Sequence, residues 1–130
     1  MAFPLVWVAA AGLAGLLGGA AIVHYWDNIL EWLNDFLPKI SSFIRELGRK
    51  FKGNFEHVAD MIADKIDSTS AKISHRLYHK QKDGQWVEEK TSRTLPESEL
   101  PASIKRKLAM KRREADITEE MELETGCAIS

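Results

Sequence analysis

The chain has 130 residues, 18 of them Lys or Arg and 19 Asp or Glu, for a formal net charge of −1. That balance argues against a dedicated nucleic-acid binder, which is normally strongly basic. The single Cys excludes an intrachain disulfide, and no CxxC is present for zinc or redox chemistry. Charge is unevenly spread: no Asp, Glu, Lys or Arg occurs before Asp27.

The first predicted element follows from that asymmetry. Leu5–Trp26 reads LVWVAAAGLAGLLGGAAIVHYW. As a helix it would reach roughly 33 Å, close to the hydrocarbon thickness of a bilayer. Trp7 lies near one end and Tyr25 and Trp26 at the other, the places of interfacial aromatic belts. Residues 1–26 are therefore expected to form a transmembrane helix. A cleaved signal peptide is the rival, but no Lys or Arg precedes the apolar run. A buried helix of a soluble protein is the other. Lys39 and Arg45 are the basic residues that follow within the orienting window, so the N-terminus is expected outside and the bulk of the chain in the cytoplasm.

Within this segment Ala11, Gly15 and Gly19 recur every four residues. Small residues at that spacing let helices approach closely in lipid. The same face continues through Ile22, Trp26, Ile29 and Leu33, and these seven residues are the expected helix-packing seam. The stripe can be followed to Leu77 with a mean step of about 3.67 residues, the spacing of an 11-residue repeat. Residues 27–38 form a juxtamembrane amphipathic helix in this reading. Its polar face carries Asp27, Glu31 and Asp35. In a ring of copies those carboxylates would make an acidic collar that favours cations; alone, they are a solvated helix face.

Residues 39–79 are expected to be helical, with two arrangements open. In one, a long kinked rod pairs with copies of itself as a coiled coil. In the other, a helix to about Lys52 turns at Gly53 and packs on a second from Phe55 to His79. Pro38 should kink the helix or start a new one, and Gly48 and Gly53 each cost about 1 kcal/mol relative to Ala in a helix interior. His75 and His79 would share a helix face, the spacing of a metal-binding pair, but no further ligand accompanies them and no HExxH is present.

Residues 80–130 form a charged C-terminal region. Asp83-Gly84 is a good turn pair for a short hairpin of about Leu77–Lys82 and Gln85–Thr94. Pro96 and Pro101 mark a linker. Ser103 can cap a helix to about Arg113, and Asp116 with Glu119 makes a capping box for a last helix ending near Gly126. Basic residues from Lys105 to Arg113 are followed by acidic ones from Glu114 to Glu124, so each block has a ready partner, and nucleic-acid binding is not expected. Cys127-Ala128-Ile129-Ser130 matches the prenylation pattern, which makes Cys127 a candidate lipidation site.

The fold class expected from these elements is all-α and membrane-bound: one N-terminal span, amphipathic cytoplasmic helices, and a small region with a hairpin and short helices. No Gly-rich phosphate loop, GxSxG or informative Cys/His pair occurs. No enzymatic activity, catalytic residue, cofactor or metal is therefore expected. The expected function is a homo-oligomeric, pore- or channel-like membrane assembly whose partners are the bilayer and its own copies. The alternative is a membrane-anchored scaffold or adaptor that recruits a soluble partner through its helices and charged tail.

Overall fold

The computed structural model describes residues 6–8, 20–50, 52, 56–80, 84–111, 114–126 and 129. Its elements in chain order are β1 (Val6–Val8), β2 (Ala20–Ile22), α1 (Trp26–Lys50), β3 (His57–Lys65), β4 (Ser70–Lys80), β5 (Trp86–Pro96), a 3-10 turn (Glu97–Glu99), α2 (Ala102–Lys111), β6 (Glu114–Asp116) and α3 (Thr118–Thr125). The architecture is mixed α/β, a correction to the all-α expectation. The sheet order is β1-β5-β4-β3-β6, with β2 also on β5. At its centre β3, β4 and β5 form an antiparallel meander, with Met61 opposite His75 and His75 opposite Thr91.

No helix among the described residues is long and apolar enough to cross a membrane. The expected transmembrane helix is thereby overturned, and with it the single-pass, N-outside localisation and the pore and channel reading. Val6–Val8 and Ala20–Ile22 instead pair in parallel with the outer edge of β5, and the Val23 N–H extends the second pairing to the Thr94 carbonyl at 2.7 Å. Val, Trp and Ile favour a pleated, half-buried surface, and the four glycines between Leu5 and Trp26 weaken a helix there. An eleven-residue β5 without these partners would leave a row of backbone groups unpaired.

α1 is amphipathic as expected, but it turns its apolar face inward. Ile29, Leu33, Phe36, Leu37 and Ile40 are buried at helical spacing and pack on the sheet through Ala59, Met61, Ala63, Ala71, Ile73 and Leu77. The helix runs through Pro38 without ending. Pro38 sits on the exposed side, and so does Asn34, whose carbonyl loses its hydrogen bond to the missing N–H and can turn to water.

Beyond Lys50 the helical seam, and the coiled coil with it, is also overturned, for both the rod and the hairpin arrangement. His57–Lys65 and Ser70–Lys80 are strands. Ile62 and Ile73, eleven residues apart, point to opposite faces of the sheet, because Ile62 is paired with Ser74 and Ile73 with Ala63. The turn between these strands is built by Asp67, whose Oδ1 accepts the backbone N–H of Thr69 and of Ser70, each at 2.8 Å. The β4–β5 hairpin then extends well past the short one expected, from Lys80–Trp86 to Ser70–Pro96. Gly84 beside its turn has φ +87°, a conformation that glycine adopts freely; Asp83 lies outside the described residues.

Candidate functional site: the C-terminal helix pair and a buried polar row

Residues that alternate along each strand of the meander share the face beneath α1. That face is not wholly apolar: His75, His79, Glu89 and Thr91 are buried on it. Two phenylalanines seven apart on α1 cover the two histidines. Phe36 meets the His75 ring edge-on at 5.1 Å and Phe43 meets His79 at 5.5 Å. The His pair does share a face, but through strand rather than helix periodicity.

His79 Nε2 lies 3.7 Å from Glu89 Oε1. Among the described residues the His75 ring nitrogens make no hydrogen bond of ordinary geometry, although the backbone of Ile129 comes up to the ring. Burial drives the His75 pKa down to about 4, against the opposing pull of the Asp60 charge and the Ile129 backbone. His75 is thus a neutral imidazole at pH 7. An acid–base pair needs access to its substrate, and this row is closed over by aromatic rings. Among the described residues no group of three His, Cys, Asp or Glu is arranged to hold a metal ion.

On the other sheet face, Arg76 donates two hydrogen bonds to the opposing Asp60, Nε to Oδ1 at 2.8 Å and Nη2 to Oδ2 at 2.6 Å. The Tyr78 hydroxyl donates to Glu88 at 2.7 Å. Burial, with that carboxylate acceptor, pushes the Tyr78 pKa up to about 12. These are cross-strand pairs that lock register.

The C-terminal helices offer a different surface. The Asp116 carboxylate accepts both the N–H and the hydroxyl of Thr118 and so starts α3. Burial pushes its pKa upward, but those hydrogen bonds and the nearby Lys107 outweigh burial and hold it below the usual carboxylate range. Gly126, at φ +69°, ends the helix by donating to the Glu122 carbonyl. Lys107 of α2 joins the pair, donating to Glu120 and to the Asp116 carbonyl. Beside this bridge, Ser103, Glu119, Glu120, Leu123 and Glu124 line a groove of about 500 Å³. Leu123 is 81% exposed, and Met110 on α2 is 80% exposed.

Comparison with protein-family models, with curated proteins and with solved structures finds no match. The site therefore rests on its own geometry.

The seam residues are dispersed. Ala11, Gly15 and Gly19 lie outside the described residues. Ile22 is exposed, Trp26 is half-buried with its backbone N–H donating to the Glu99 carboxylate, and Ile29 and Leu33 are fully spent on the internal core. Asp27, Glu31 and Asp35 lie exposed along the outer side of α1, with Asp35 3.4 Å from Lys39. Cys127 lies outside the described residues; Ile129 of the same motif is buried, and its N–H donates to Glu122 at 2.9 Å. Nothing in the sequence marks Glu89, Thr91 or Leu123. A partner across the sheet makes the first two notable, and only exposure distinguishes Leu123.

Proposed function

We propose that the protein is a non-catalytic adaptor that recruits a soluble partner through the α2–α3 pair. One observation carries this reading: Leu123 stands 81% exposed in a groove with three glutamates. Burying a leucine side chain is worth about 1.5–3 kcal/mol, which a partner can recover. The fitting chemistry is a basic amphipathic helix, with an apolar residue on Leu123 and Lys or Arg against Glu119 and Glu124. Catalysis is the weaker reading, because the titratable groups beneath α1 are covered.

A second reading has a specific observation behind it. α2 exposes Lys105, Arg106 and Met110, so another copy of this chain itself offers a basic segment with an apolar residue.

Fluorescence anisotropy with a labelled Lys/Leu amphipathic peptide tests the adaptor reading, with a Glu/Leu peptide as control. Only the basic peptide should bind, and binding should weaken with salt. Leu123→Asp, or Glu119→Lys with Glu124→Lys, should cost about tenfold or more in affinity. Absence of binding, or indifference to these substitutions, overturns it. A concentration-dependent dimer in sedimentation, lost in the same variants, would instead favour self-association.

A further inference from the structure

A second cavity lies between the second half of α1 and the start of β3. Its volume is about 410 Å³, within the range of small-molecule sites. One wall is a single stripe of α1: Leu37, Ile40, Ile44 and, at the rim, Arg45. These positions follow the i, i+3, i+7, i+8 spacing of one helix face. His57 stands on the opposite wall, and Ile129 closes the inner end. The cavity thus has an apolar interior and a cationic mouth, and no carboxylate is among its described lining residues.

The adaptor reading does not use this site. Its floor is continuous with the buried polar row. His57 pairs across β3–β4 with His79, and Ile129 borders His75. Leu37 and Ile40 belong to the main core, so the apolar wall is held by the packing of α1 and needs no ligand to form. Pre-formed walls reduce the ordering cost of binding. Arg45 lies in the last two turns of α1, exposed at the rim. A guanidinium there can meet a carboxylate with two parallel hydrogen bonds.

We infer that this groove binds a small amphipathic anion, a medium-chain aliphatic carboxylate, with its chain along Leu37, Ile40 and Ile44 and its carboxylate at Arg45. Each part of such a ligand meets its complement. The chain leaves water against the helix stripe, while the charge stays at the partly solvated rim, where it does not bear the full cost of burial. A cationic amphiphile would be repelled by Arg45, and a short carboxylate would have too little chain to fill the interior.

The test is an amide chemical-shift titration of the full chain with decanoate, decanol, acetate and a decyl ammonium salt as probes. Decanoate should give saturable shifts confined to residues 37–45, 57 and 129, acetate and the ammonium salt none, and decanol weaker ones. Arg45→Gln is an exposed change that leaves the core intact. It should weaken decanoate by about tenfold or more, the worth of a charge-assisted hydrogen bond, and leave decanol unaffected. Ser41→Phe, an exposed site on the same wall, should fill the groove and abolish both. Circular dichroism of each variant checks that it folds as the parent does. Shifts spread over the whole molecule, no saturation, or equal binding of decanoate and decanol with Arg45→Gln inert would each overturn the proposal.

Discussion

His75 places an ionisable ring at 0% exposure beneath Phe36, where burial disfavours its charged form. Its folded pKa, about 4, lies below the ordinary histidine value of 6.5. The unfolded chain therefore binds the proton more readily, and stability drains away as pH falls from 6.5 towards 4; above 6.5 the ring is neutral in both states and contributes no slope. The expected loss is about 3 kcal/mol by pH 4. Urea unfolding at pH 7 and pH 4.5 should show it, and His75→Leu should flatten that part of the profile. An unchanged slope in His75→Leu would mean that other groups carry the acid sensitivity. The neighbouring Arg93 differs in kind, because it lies over the Trp32 ring at 4.9 Å and keeps its charge close to the surface. Residue identity made the histidines conspicuous in the sequence, but the neutrality of His75 comes from burial under Phe36 and against the sheet, and Phe36 lies far from it along the chain.

At the level of elements, α1 carries both the clearest sequence signal and the clearest contrast within one helix. Phe36 is 1% exposed and Pro38, two residues on, faces solvent. Phe36→Ala should cost about 3–5 kcal/mol through the cavity it leaves beneath the helix and the loss of the His75 contact. Pro38→Ala should restore an interior helix hydrogen bond and raise stability by about 1 kcal/mol or more. Paired denaturation curves would check both signs, and a destabilised Pro38→Ala would show that the kink itself is needed for packing. The apolar spacing of Ile29, Leu33, Leu37 and Ile40 made this element legible, as Gly84 did the hairpin turn and Gly126 the end of α3, whereas Ser103 lies inside α2 instead of capping it and α3 begins after Ile117 without the expected capping box. Beyond Lys50 the steps of three and four misled. β3 and β4 bury residues on both faces near the sheet centre, as Met61, Ile62 and Ala63 show. A strand apolar on two sides loses the alternation that would mark it.

On the scale of the whole molecule, the distant segments Trp26–Lys50, His57–Pro96 and Ala102–Ile129 share one core. Ile129 is the far end of that connection, 4% exposed and tied by its N–H to Glu122. A charge introduced there would be buried without a partner. Ile129→Asp should cost about 3 kcal/mol or more, in the range of other buried unpaired charges. It should also raise the binding of a hydrophobic dye and weaken the near-ultraviolet circular dichroism, since α1 and the sheet lose a shared contact. Leu123→Asp, at an exposed site, should leave both signals unchanged and serves as the control. Retention of native spectra by Ile129→Asp would detach that residue from the core.

Sequence alone determined what is local: the amphipathic stripe of α1, the helix stop at Gly126 and the sorting of charge into blocks. Such features depend on neighbours a few positions away, so their physics is complete in a short window. Tertiary structure decided whether Val6–Val8 and Ala20–Ile22 would lie beside β5, which side of the sheet each histidine faces, and that Leu123 and the Arg45 groove remain open to solvent. Those outcomes depend on backbone partners and covering side chains dozens of residues away, whose pairing energy no local spacing records.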